Sequence, residues 1–231
     1  MIGFYNYTMI MTYMSLLSAG LGIVVSLSGS GHPFVGVFFL LFCGLCDAFD
    51  GKLARTKKDR TQTERNFGIQ IDSLSDLVAF GVLPVCIGAA LIRRSKFLYD
   101  DIFENQLPYF NKIITAVLFT VMILCILAAM IRLAYFNVTE EERQKTEGGV
   151  RKYYTGLPVT SAALIFPTVC LLHYLLPMDI TPVYFGVMCL TGVSFLLKFN
   201  IRKPGLRSIL VMVAIGLVEF VVMILFRRFS R

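Results

Sequence analysis

Apolar and polar residues fall along this chain in long blocks. The first apolar run, Tyr7 to Leu27, is long enough to cross a hydrocarbon layer of about 30 Å. Gly29 to Pro33 predict a turn, with Pro33 opening a second helix that runs to about Arg55. Thr56 to Asn66 is strongly polar, and a third apolar helix is expected from near Phe67 to near Leu91. The polar stretch that follows, to about Tyr109, predicts a short extracytoplasmic loop or an interfacial helix. A fourth helix, about Phe110 to Val138, is longer than a span needs and predicts tilting or projection. The mixed-charge segment TEEERQKTEGGVRKYYTG is expected to be a loop. It leads to a fifth helix at about Leu157 to Leu176, a sixth at about Thr181 to Phe199 and a seventh apolar run at about Ser208 to Phe226. The expected fold class is an all-α integral membrane protein: a six-helix transmembrane core plus a C-terminal seventh apolar helix, forming one domain over residues 1–231.

Composition and charge sharpen this picture. With 56% hydrophobic residues, 16% charged residues and no Trp, the chain is too apolar for an ordinary soluble domain of its length. The net charge of +7 would suit nucleic acid, but the basic residues sit in short connections between apolar runs. That is the pattern of membrane topology and of anionic lipid headgroups, so membrane lipids and no nucleic acid are the expected partners. Lys57, Lys58, Arg60 and Arg65 place the Thr56–Asn66 connection in the cytoplasm, as does the basic KFNIRKPGLR segment after the sixth helix. An odd helix count then puts Arg227, Arg228 and Arg231 outside, against the same rule. No basic leader precedes the first run, which therefore reads as a retained helix. Ser15 and Ser18 within it are expected to hydrogen-bond between helices. The six cysteines lie in apolar segments as small hydrophobes, and the Cys43-x-x-Cys46 spacing lacks the second pair that a zinc or redox site would want. His32 and His173 have no ligand partner at helical spacing.

One stretch, CDAFDGKLARTKKDRTQTERNFGIQIDSLSDLVAFG over Cys46 to Gly81, carries the candidate chemistry. Asp47 and Asp50 are three residues apart and Asp72 and Asp76 four apart, so each pair shares a helix face. Four carboxylates at the edge of hydrocarbon repel one another unless a positive partner sits among them. Hard oxygen ligands select a hard divalent cation, Mg²⁺ or Mn²⁺, which commonly works on phosphates. Gly51, Ala54 and Gly68 flank the acids with almost no side chain, allowing close approach of a phosphate ester, and Arg55 adds a planar donor fork.

The pattern Asp47-x-x-Asp50-Gly51-x-x-Ala54-Arg55, then Gly68-x-x-x-Asp72-x-x-x-Asp76, resembles the signature of the CDP-alcohol phosphotransferase superfamily. The continuation DSLSDLVAFGVLP, the segment RLAYFNV at 132–138 and GLP at 156–158 resemble its phosphatidylserine synthase branch. Residues 56–67 separate Arg55 from Gly68, a longer connection than the family's pattern usually has there; the excess falls in the polar run and should spare the ligands.

The resemblance implies an enzyme that transfers the phosphatidyl group of CDP-diacylglycerol to L-serine with release of CMP. It implies that Asp47, Asp50, Asp72 and Asp76 hold the metal and that Asp76 is the general base. Gly51, Ala54, Arg55, Gly68 and Arg132 are then the candidate substrate-binding residues. It also implies a homodimer, and the basic connections place the active site of this multi-pass cell-membrane protein on the cytoplasmic side. Arg132, near the inner end of the fourth helix, suits either a phosphate or the carboxylate of an amino-acid acceptor, or else snorkels to headgroups. Glycerol 3-phosphate or inositol phosphate is the alternative acceptor. A cation-binding transporter is the competing non-enzyme class, and it leaves the flanking glycines and the adjacent Arg55 unexplained.

Overall fold

A computed structural model describes residues 3–29, 31–57, 59–95, 109–146, 153–175, 179–202 and 206–229. Helix α1 (Ile10–Leu27) follows a short 3-10 turn, and α2 (Pro33–Ala54) starts on Pro33, whose missing N–H costs nothing in a first turn. Helix α3 (Gln62–Arg94) is continuous but contains one π-helical segment, Leu77–Val82. Pro84 explains the widening: it cannot donate to the carbonyl one turn earlier and its ring crowds that carbonyl. Helix α4 spans Tyr109–Thr146, α5 Ala162–Leu175, α6 Thr181–Leu196 and α7 Leu206–Phe229. Among the described residues α1 with its leading turn, α2, α3 and α4 are long and apolar enough to cross a membrane, while α5 and α6 are shorter apolar helices. The protein is an all-α, multi-pass membrane protein.

Several boundaries differ from expectation, each for a local reason. Helix α3 begins at Gln62 and not near Phe67, because Thr61 accepts a hydrogen bond from the Glu64 backbone N–H (3.2 Å) and caps the helix inside the run read as loop. Helix α4 continues past Val138 to Thr146, where good helix formers and the Glu140–Arg143 ion pair (2.6 Å) carry it through residues expected to be loop. Helix α6 ends at Leu196 and not at Phe199. Just beyond it, β2 (Asn200–Arg202) pairs antiparallel with β1 (Tyr153–Thr155), so the helical chain also carries one short ladder. The polar segment expected between the third and fourth helices falls largely on 96–108, outside the described residues, as do Arg151 and Lys152.

The core is built by close approach of small residues. A side-chain carbon on Gly44 of α2 would lie 2.5 Å from the Ala163 Cβ of α5, so these two helices touch nearly backbone to backbone. Tyr184 of α6 is fully buried, packs its ring tilted against Phe166 of α5 (5.1 Å between centroids) and donates to the Pro84 carbonyl of α3 (2.8 Å). Helix α1 splints α2 and α3 together. The Ser18 hydroxyl donates to the Phe39 carbonyl (3.1 Å), the Cys43 thiol to the Ser15 carbonyl (3.3 Å) and the Ser75 hydroxyl to the Thr12 carbonyl (3.2 Å). Cys43 and Cys46 are buried free thiols, as packing residues should be.

At the C-terminal end of α3, Asp179 accepts hydrogen bonds from the Ser95 hydroxyl and from the Thr181 N–H (2.9 Å) and hydroxyl (2.6 Å). Burial pushes its carboxyl upward, but those donors and the nearby His173 outweigh that and hold it below its ordinary value.

Two outcomes follow. Gly44→Ala should lower the thermal melting temperature in detergent, an overpacking cost of about 1–3 kcal/mol, whereas Gly20→Ala, where a side-chain carbon meets nothing within 4 Å, should leave it unchanged. A depressed carboxyl stabilises above its unfolded pKa of about 3.9 and loses that contribution as pH falls. Asp179→Asn should therefore melt below the wild type at pH 7, with the gap closing below about pH 4; a gap independent of pH would contradict this.

Candidate active site between helices 2 and 3

Helix α2 carries Asp47 and Asp50 in its last two turns, and α3 carries Asp72 and Asp76 on the face turned toward them. The Asp50 and Asp72 carboxyls lie within hydrogen-bonding reach of each other. Asp47 and Asp76 are close enough that the charges of all four act on one another. Asp76 is the most enclosed, only 9% exposed, while the other three are half-buried. The site is thus a graded one, open at the helix ends and closed toward the bundle. The widened turn of α3 starts directly after Asp76, a placement in which π segments often mark functional positions.

The flanking residues divide into two groups. Gly51 faces open space, and the nearest side-chain atom to a carbon placed on it is the Arg55 Nη2 at 3.8 Å. Arg55 itself forms the exposed end of α2, its backbone N–H bonded to the Lys52 and Leu53 carbonyls. Gly68, by contrast, is packed: a carbon on it would lie 2.9 Å from the Met9 Cε and 3.0 Å from the Arg60 Nη2.

Arg132 of α4 is buried, at 6% exposure, and points two donors at main chain. Its Nε donates to the Leu157 carbonyl (3.0 Å) and its Nη2 to the Gly156 carbonyl (3.3 Å). Gly156 needs its φ of +81°, and its N–H donates to the Phe199 carbonyl beside the β ladder. Helices α3 and α4 run antiparallel, with Gly81 against Ala129 and the Asn137 amide donating to the Ser73 hydroxyl (2.7 Å). Between those two contacts, Arg132 sits level with the turn that follows Asp76. In this structure it fastens the loop entering α5.

Two features were missed from sequence. Asn137 and Ser73 tie α4 to the third helix. Glu64, buried at 4% exposure, gathers the Lys57 ammonium (2.8 Å), the Asn6 amide and, at 4.0 Å, the Arg60 guanidinium. The Thr61-x-x-Glu64 spacing was the available signal.

A family model for CDP-alcohol phosphatidyltransferase matches residues 5–198, most of the chain and all of the site just described. The chain belongs to the CDP-alcohol phosphatidyltransferase family. It is 30% identical over 193 residues to a CDP-diacylglycerol–serine O-phosphatidyltransferase of Helicobacter pylori, covering 82% of this chain and 69% of that protein. A protein of the same name from Saccharomyces cerevisiae is 32% identical over 143 residues, 61% of this chain and 43% of the yeast protein. An archaetidylserine synthase of Methanothermobacter thermautotrophicus is 32% identical over 155 residues, 65% of this chain and 53% of that protein. The chain therefore spans about half the length of the yeast and Methanothermobacter relatives and about seven-tenths of the bacterial one.

Membership of the CDP-alcohol phosphatidyltransferase family implies a divalent-metal requirement in general. The donor chemistry at α2 and α3 fits such an ion, being wholly carboxylate oxygen. Among the described residues no three His, Cys, Asp or Glu side chains are gathered tightly enough to ligate one, so the acids converge without forming a closed shell.

Because Arg132 holds the Gly156–Leu157 loop, Arg132→Ala leaves one buried and one half-buried carbonyl short of a charged donor, at a cost of about 1.5–3 kcal/mol. The melting temperature should fall by several degrees, and Arg132→Lys should fall less. A variant that melts like the wild type but has lost activity would mean that Arg132 serves substrate instead.

Proposed function

We propose that the protein is a phosphatidylserine synthase: it transfers the phosphatidyl group of CDP-diacylglycerol to the hydroxyl of L-serine and releases CMP. The observation that carries this is the facing of Asp50 and Asp72 across two helices, with Asp47 and Asp76 acting on the same pair. The names of the relatives support serine as the acceptor, since the bacterial, yeast and archaeal proteins all make serine phospholipids by name. The lipid chains of the donor are less constrained by them.

Asp47, Asp50, Asp72 and Asp76 would hold Mg²⁺ or Mn²⁺, which supplies charge neutralisation for the pyrophosphate when bound. In the reaction, the serine oxygen forms a bond to the phosphorus that carries diacylglycerol, and the bond from that phosphorus to the oxygen of CMP breaks. Asp76 receives the hydroxyl proton. Its enclosure suits the role, because bulk water is kept from competing with the acceptor hydroxyl there. Open space at Gly51 admits the phosphate ester close to the α2 backbone, and Arg55 beside it balances phosphate charge.

The basic connection between α2 and α3 supports a cytoplasmic active site, where a soluble amino acid arrives from the cytosol while the donor's acyl chains stay in the bilayer. A homodimer is the assembly that the family resemblance implies.

The deciding experiment measures CMP release by purified protein in detergent with CDP-diacylglycerol and Mn²⁺ or Mg²⁺. L-serine should stimulate release, glycerol 3-phosphate and inositol phosphate should not, and chelation should abolish it until metal is restored. Asp76→Asn should lose about 10²–10⁴-fold in rate while keeping its melting temperature. Stimulation by a different acceptor would replace serine and keep the metal chemistry, and full activity of Asp76→Asn would remove Asp76 as the base.

A further inference from the structure

The polar connection between Arg55 and Gly68 runs into the first turn of α3. Thr61 caps the first turn of α3, and Arg60, just before the cap, turns back toward Ala54 and Gly68. Its Nη1 donates to the Ala54 carbonyl at the end of α2 (3.3 Å), and its Nη2 lies 3.0 Å from the position a side-chain carbon on Gly68 would take and 4.0 Å from the Met9 Sδ. Ala54 follows Asp50 by four residues and Gly68 precedes Asp72 by four. The guanidinium therefore bridges α2 and α3 one helical turn, about 5.4 Å along each axis, from the facing carboxyls of Asp50 and Asp72.

Arg60 is braced there and not fully used. Glu64 stands 4.0 Å from its Nε and is itself held by Lys57 and Asn6, so the carboxylate fixes the fork without closing on it. The Nε of Arg60 is buried and makes no hydrogen bond. A guanidinium carries five N–H donors, and the contacts with Ala54, Met9 and Glu64 leave donors over. The acceptor geometry that a planar fork fits is a phosphate or a carboxylate.

We propose that Arg60 is a binding residue for the phosphate groups of the cytidine-nucleotide donor, positioned by Glu64 at the Ala54–Gly68 end of the carboxylate site. This rests on the transferase reading above. The donor's pyrophosphate is the favoured anion because the guanidinium stands one helical turn from the Asp50–Asp72 pair, where that reading puts the metal-held phosphates. The carboxylate of the amino-acid acceptor is the other anion within the same chemistry, and the experiment separates the two.

The full-length protein in detergent with Mn²⁺ is titrated with CDP and, separately, with cytidine, by calorimetry. Arg60→Ala should weaken CDP binding about tenfold or more and leave cytidine binding unchanged, with the KM for L-serine unaltered in the CMP-release assay. Arg60→Lys, which keeps a cation beside Glu64 but loses the fork, should weaken CDP less, and it decides the matter if Arg60→Ala does not fold. Unchanged or tighter CDP binding in a variant that melts like the wild type would overturn the proposal. So would an equal loss for cytidine, or a rise confined to the serine KM, which would assign the fork to the acceptor. Absence of CDP binding by the wild type would instead refute the donor reading of the whole site.

Discussion

Everything in this molecule depends on holding four carboxyl groups against one another at the end of two apolar helices. Like charges in a poorly hydrated place repel strongly, so no local preference of α2 or α3 would bring Asp50 and Asp72 within hydrogen-bonding reach. The apolar packing below must supply the force. Gly44 against Ala163 brings α5 onto α2, and three hydrogen bonds from or to α1 fix α2 and α3 in register. Those bonds run between hydroxyl or thiol groups and helix carbonyls, which in an apolar setting have few competing partners.

The second layer of support lies at the open end. Glu64 draws Lys57, Arg60 and Asn6 into one ionic knot, so the stretch before α1 and the α2–α3 connection are tied to the first turn of α3. On the other side Arg132 fastens the Gly156–Leu157 loop, and that loop is joined through Gly156 to Phe199 after α6. Both devices pair a buried or half-buried charge with more than one partner, the condition under which a charge is tolerated out of water. The carboxylate site thus has an ion-paired rim on one side and a main-chain clamp on the other. The apolar bundle beneath carries no comparable charge on α2 or on α3 until Arg93.

The family membership and the geometry bear on function at different levels. Membership brings the reaction class, because the match covers the whole site. The geometry adds how this chain spends its own residues: enclosure for Asp76, open space at Gly51, a packed position at Gly68. The contrast between the two glycines is informative. Both flank an acid pair, yet one leaves room for a ligand and the other is already filled by Met9 and Arg60.

What the sequence determined by itself was the apolar block pattern, and hence the order of the seven helices seen among the described residues, and the pairing of acids along each helix. Both follow from short-range periodicity: a run of apolar residues of fixed length is a helix in lipid, and residues three or four apart share its face. The Thr61 cap and the helical continuation through Glu140 were also local, and were misread because polar composition was taken as loop. Tertiary structure alone decided which faces meet. Arg132 touches Gly156 and Leu157, Asn137 meets Ser73, and Arg60 reaches across to Gly68 because of how helices cross, and no spacing along the chain encodes a crossing. The short β ladder belongs to the same class: Tyr153–Thr155 and Asn200–Arg202 hold strand-favouring residues but are three residues each, too short to be read as strands until the fold sets them side by side.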